Sequence, residues 1–173
     1  MSQRDKVQWL RPEPGALEGG PAVKVVRVRP NAPVSGFFLS EQCHCVVTHW
    51  LGGRTKPCVG MHNGCEGCKV GLDKRPKAYV AVAVDNSGVV WLLEITERAY
   101  DENLRLCATS GLRGLYFTAR RKHENINSEL ILEFNDSKRP AQPLPQDIDV
   151  PEVLCRIWFG KENNKTRKVT GNG

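Results

Sequence analysis

The spacing His49, Cys58, Cys65-Glu66-Gly67-Cys68 constrains this chain more than any other stretch. A Cys-x2-Cys pair delivers two thiolates to one tetrahedral ion from a single tight turn, and Gly64 and Gly67 give that turn its backbone freedom. Cys58 and His49 are the nearest upstream donors that complete a set of four. A redox pair of the same spacing normally opens a helix after a strand, which Gly67, Gly71 and Pro76 disfavour. A structural disulfide needs an oxidising compartment. His62, His44 and Cys45 compete with His49 for the fourth position. His62 would require a short loop to double back, whereas His49 ends an apolar run and enters the loop that follows. Four ligands from one contiguous stretch leave no open coordination position, so the expected ion is a structural Zn2+ rather than a catalytic one.

The rest of the chain sets the frame for that site. Its 173 residues suit one domain with tails, and a 40% hydrophobic fraction supports one modest core. The net charge of +6 and pI near 9.0 favour an anionic partner. Met1-Ser2-Gln3-Arg4-Asp5-Lys6 lacks the apolar stretch of a signal peptide, and no run of about eighteen apolar residues occurs. The expectation is therefore a soluble, cytoplasmic protein with no membrane association, in which Cys43, Cys45, Cys107 and Cys155 stay reduced.

Residues 1–22, rich in Pro and Gly, read as a flexible arm. Val23 to Arg29, Phe37 to Leu39 and Cys43 to Trp50 read as extended segments, the last with Cys43, Cys45, Val47 and His49 on one face. A basic, metal-binding insertion follows to about residue 76. Tyr79 to Val84 and Val89 to Leu93 flank Asp85-Asn86-Ser87-Gly88 as a hairpin, with Trp91 in the core. Thr96 caps a helix of about fourteen residues whose stripe is Tyr100, Leu104 and Cys107 or Ala108, ending at Ser110-Gly111. Gly114 to Lys122 and Glu129 to Phe134 pair as the last strands. Residues 135–173 form a Pro-rich, basic tail with a docking segment at 150–159 around Trp158.

This order predicts a mainly β domain over residues 23–134: an OB-like five-stranded barrel with one helix and a zinc-binding insertion at 49–76. Such barrels bind single strands through a basic groove with stacking aromatics. Tyr116, Arg120 and Lys122, on the strand face opposite Leu115, Phe117 and Ala119, supply that mixture, and Trp50, Arg54 and Lys56 offer a second wall. The alternative for these residues is an outward face of solvated charge.

The metal set inside an OB-like strand order, followed by a helix and Arg113-Gly114-Leu115-Tyr116-Phe117-Thr118-Ala119-Arg120, resembles the zinc-containing single-stranded-DNA-binding proteins of T-even phages. It is also similar to small bacterial and mobile-element proteins with a zinc-inserted OB core. The resemblance spans residues 23–134 and implies a replication or recombination accessory that coats single strands, DNA in preference to RNA. No catalytic residue and no small-molecule substrate are expected: the zinc deaminases require His-x-Glu with Pro-Cys-x2-Cys, and neither pattern is present. The competing class is a zinc-module adaptor that binds a protein partner through the module or the C-terminal tail.

Overall fold

A computed structural model describes residues 23–85, 89–101 and 111–159. Its elements are β1 (Lys24–Val26), β2 (Val34–Phe38), β3 (His44–Leu51), β4 (Arg54–Pro57), a 3-10 turn (Met61–Asn63), α1 (Glu66–Lys69), β5 (Arg75–Val84), β6 (Val90–Thr96), α2 (Glu97–Ala99), β7 (Tyr116–Arg121), β8 (Leu130–Asn135) and α3 (Val150–Phe159). The protein is mainly β, as its alternating Val, Ala, Phe and Tyr runs dictate.

β5 is the axis of the sheet. Its apolar residues alternate so that Ala78, Val80 and Val82 enter one cluster while Tyr79 and Ala81 enter another, which is why the run is continuously apolar. β6 pairs antiparallel along one whole edge, from Lys77↔Thr96 to Ala83↔Val90. The other edge is shared: β3 takes the first half, from Thr48↔Arg75 to His44↔Tyr79, and β2 takes the second, from Phe38↔Val82 to Gly36↔Val84. Gly36 permits that approach, since a Cβ there would lie 2.1 Å from the carbonyl oxygen of Ala83. β7 and β8 extend the sheet beyond β2, and β1 joins β6 in parallel.

The expected five-stranded closed barrel is not what forms. Among the described residues, eight strands make one sheet whose path runs β1-β6-β5-β2-β7-β8, with β3 branching from β5 and carrying β4, and the end strands β1 and β8 are not paired with each other. β5, ten residues long, serves three neighbours at once. The sheet still curls: Val26, Val28, Leu130 and Leu132 from its two ends share one core with Phe38, Val80 and Phe117. The Arg121 side chain bridges the gap, its Nε donating to the carbonyl of Val28 at 2.9 Å.

Several local readings hold and others shift. Phe117 and Ala119 are buried while Tyr116 and Arg120 face outward, and Trp91 packs on the core. Thr96 caps α2, its hydroxyl accepting from the N–H of Ala99 at 3.4 Å. The rest of the expected helix, with Leu104 and Cys107, lies outside the described residues, as do the 86–88 turn and the 1–22 arm. The first strand is shorter than expected because Asn31, at φ 58°, turns the chain between bridged Arg29 and Ala32.

Residues 144–158 are a second layer. Val150, Leu154 and Trp158 cover Leu39, Val46, Tyr79, Ala81 and Leu92 on the outer face, with the Tyr79 and Trp158 rings edge to face at 5.7 Å. Arg113 donates to the carbonyls of Leu39 and Pro145 at 2.6 and 2.9 Å, and Ser40 donates to Asp147 at 2.9 Å, so the Pro-rich run is tied down before α3 begins.

Candidate metal centre

The metal loop begins with a hairpin. Gly52 and Gly53, both at positive φ, form the two-residue turn that folds β4 back on β3 and places Lys56 opposite His49. The N–H of Cys58 donates to Val47 at 2.8 Å and carries the ladder one residue further, which fixes the Cys58 thiol beside His49. Gly60 and Gly64, at φ 88° and 78°, then bracket the 3-10 turn and return the chain to Cys65. There α1 starts, so the helical turn that Gly67 and Gly71 argued against does form. It is one turn long, closing through Leu72 N–H to Gly67 O at 2.9 Å with Gly71 at φ 71°.

That turn brings Cys68 to Cys58 and His49. The candidate donor atoms of His49, Cys58, Cys65 and Cys68 all lie within 4.8 Å of one another. Cys58 Sγ and Cys68 Sγ are 3.5 Å apart, as are Cys68 Sγ and His49 Nε2. Bonds of about 2.3 Å to sulfur and about 2.0–2.1 Å to nitrogen put tetrahedral donors about 3.5–3.8 Å apart, so the set fits a metal ion and is compatible with zinc. The separation is far beyond a disulfide bond, and the cysteines are free thiols.

The histidine is prepared for this role. It is 1% exposed, and its Nδ1 donates to the carbonyl of Asp73 at 3.0 Å, which leaves the Nε2 lone pair facing the sulfurs. Gly67 packs flat against the ring: a Cβ there would meet His49 Cγ and Cδ2 at 2.5 Å. Of the rival donors, His62 is exposed on the 3-10 turn, Cys45 is buried in the main core and His44 stands opposite Tyr79. None joins the cluster.

The thiols are unequal. Burial pushes Cys65 up, but the N–H groups of Cys68 and Val59 and the neighbouring thiols outweigh it and bring it down to about 7. The contact with Cys58, aided by burial, pushes Cys68 up to about 11. The Cys65 thiolate therefore forms more readily than that of Cys68, whose proton is displaced when a cation arrives. Around them, Lys56 donates to Glu66 at 3.0 Å and so ties β4 to α1.

The six residues expected to line one groove fall on two strand pairs: Trp50, Arg54 and Lys56 on β3 and β4, and Tyr116, Arg120 and Lys122 on or just after β7. Trp50 is 46% exposed at the hairpin, with the Arg27 guanidinium 5.7 Å from its ring centroid and hydrogen-bonded to Thr55. Arg54 is exposed, and its side chain makes no hydrogen bond or ion pair among the described residues. Tyr116 is at the other end of the sheet. It stands opposite Phe37, which stands opposite Ala83, while Thr48 stands opposite Arg75. From Arg75 to Ala83 is about 26 Å of strand at about 3.3 Å per residue. The Tyr116 ring is also occupied, with Lys138 Nζ 3.5 Å above it, Phe37 against its edge and its hydroxyl donating to Asp85. Arg120 and Lys122 are paired across to Glu133 and Glu129 at 2.9 and 3.0 Å.

Sequence reasoning missed Arg27 and the β3–β4 hairpin. Gly52-Gly53 after Trp50 was the available signal for the hairpin; nothing local marks Arg27. Comparison with protein families, curated proteins and solved structures finds no match. Among the described residues no helix is long and apolar enough to cross a membrane.

Proposed function

We propose that the four-donor set holds a structural zinc, and that the hairpin it braces binds single-stranded nucleic acid, DNA in preference to RNA, without catalysis. The reading rests chiefly on one observation: a Trp50 left 46% exposed and backed by Arg27, on a hairpin that carries Arg54, without an ion pair among the described residues, and shares His49 with the metal cluster. An exposed indole is costly to leave in water and offers a stacking surface indifferent to sequence, worth about 1–3 kcal/mol per base. The cations beside it serve the phosphates. A closed set of three sulfurs and one nitrogen leaves no position for a reacting water, which favours a binding role over an enzymatic one. The resemblance to the zinc-containing phage proteins, a reducing cytoplasmic setting and a role in replication or recombination belong to the same proposal. The β7 face, with its paired cations and covered tyrosine, is secondary in it.

Fluorescence anisotropy with labelled single strands and duplexes tests the reading. Tighter binding to the single strand at moderate salt, weakened by Trp50→Ala, is expected; equal or tighter binding to duplex refutes it. An adaptor role is favoured by Met61 and Val70, exposed at 56% and 65% on the metal loop. It would leave single strands unbound and make Met61→Ser weaken a protein partner.

A further inference from the structure

Between the hairpin, the metal loop, β1 and the end of α3 lies a cavity of about 500 Å3, within the size range of ligand sites. Its walls are apolar and aromatic, with Val25, Leu51, Ile157 and Trp158 among them. Its charged lining is three cations, Arg27, Arg54 and Lys56, against two carboxylates, Glu66 and Glu94. Lys56 is paired with Glu66 and Arg27 with Glu94, so Arg54 is the lining cation without an ion pair among the described residues. The balance suits a ligand with a flat, largely apolar body and one negative charge.

We infer that this cavity takes a single unstacked nucleobase, with the adjoining phosphate on Arg54 and the next base on Trp50. The inference rests on the single-strand reading and adds to it a base-recognising pocket. Trp158 offers the ring an aromatic wall, and its position is fixed by the edge-to-face contact with Tyr79. Glu94 supplies the means of discrimination. Its carboxylate accepts from the Tyr79 hydroxyl at 3.1 Å, from Arg27 at 3.2 Å and from Lys77 at 3.2 Å. A carboxylate offers about four lone-pair sites, so roughly one is left for a donor brought by the ligand. Adenine, cytosine and guanine bring an exocyclic amine as such a donor, as cytosine does to Glu or Asp in the major groove; thymine and uracil bring only the ring N3–H, flanked by two carbonyl oxygens that the carboxylate repels. The pocket therefore prefers the amine-bearing bases to thymine. Stacking on Trp50 alone would give no such preference, because every base has an aromatic face.

The test uses the full, zinc-loaded chain and needs no mutation at first. Short oligo(dA) and oligo(dT) are compared, and a single abasic residue is stepped along the oligo(dA). The expected result is weaker binding of oligo(dT) and one abasic register that loses affinity about tenfold while its neighbours lose little. Ile157→Trp, which narrows the cavity from α3 and leaves the hairpin that carries Trp50 and Arg54 unaltered, should make intact and abasic strands bind alike while single-strand binding persists. Uniform abasic losses, or oligo(dT) binding as tightly as oligo(dA), overturn the pocket and leave the single-strand reading standing. No binding to any single strand overturns the single-strand reading itself and the pocket with it.

Discussion

Replacing Gly67 with alanine tests the metal loop at its tightest point. The new Cβ would lie 2.5 Å from two ring carbons of His49 and 2.9 Å from its Cβ, where ordinary contact needs about 3.5–4 Å. The ring cannot simply tilt away: its Nδ1 is held by Asp73 at 3.0 Å and its Nε2 faces the sulfurs. Either α1 or the ring must move by about an ångström, which breaks the Asp73 hydrogen bond or spoils the donor geometry. Overpacking of this kind costs about 1–3 kcal/mol, and loss of a ligand's outer hydrogen bond lowers metal affinity about 10–100-fold. For a chain of this size, that stability loss is a fall in Tm of about 2–12 °C. Gly71→Ala is the control. Unlike Gly67 it sits at positive φ, 71°, and its Cβ would meet nothing within 4 Å, so it should cost about 1–2 kcal/mol of backbone strain and leave metal affinity unchanged. Cobalt titration followed by zinc competition reads affinity, and thermal unfolding reads stability. A Gly67→Ala chain that binds metal as tightly as wild type would refute the contact between glycine and imidazole.

Trp50→Ala should weaken single-strand binding about 5–150-fold, the loss of about 1–3 kcal/mol of stacking, whereas Tyr116→Ala, on a ring already covered by Lys138, should change it less than about threefold; anisotropy under one salt condition compares them. Leu154→Ala removes a side chain 1% exposed beneath α3 and should cost about 2–5 kcal/mol, read by denaturant unfolding, with increased protease cleavage after residue 140. In the metal-free chain the Cys65 thiol is held below its ordinary value at about 7, so the stability it contributes is present in full above the unfolded thiol's value and is lost as pH falls through about 7. The stability difference between the metal-free wild type and Cys65→Ser should therefore shrink on going from alkaline to acid buffer; a difference that grows would contradict the assignment.

The metal set was legible because its donors are close in sequence, and spacing alone brings them within reach of one ion. β5, β6, β7 and β8 were legible too, since alternation along a strand needs no knowledge of its neighbours. Sheet closure was not. Whether the ends of a curled sheet pair depends on segments far apart in sequence, and the parallel docking of β1 on β6 leaves no local trace. The same limit hid the partners of the β7 face. Alternation correctly put Tyr116 and Arg120 on the outward face, but their partners Asp85, Lys138 and Glu133 come from other segments. The tail from residue 135 read as irregular because of its prolines, yet Leu144, Ile148, Val150 and Leu154 are spaced to lie along one face of the sheet.

X-ray absorption spectroscopy on the purified full chain, together with its metal content, addresses the closed metal centre most directly. One zinc per chain with three sulfur and one nitrogen neighbours, the nitrogen lost in His49→Ala, is the expected result. A purified chain without zinc, or a zinc shell containing a water oxygen in place of the His49 nitrogen, would contradict it.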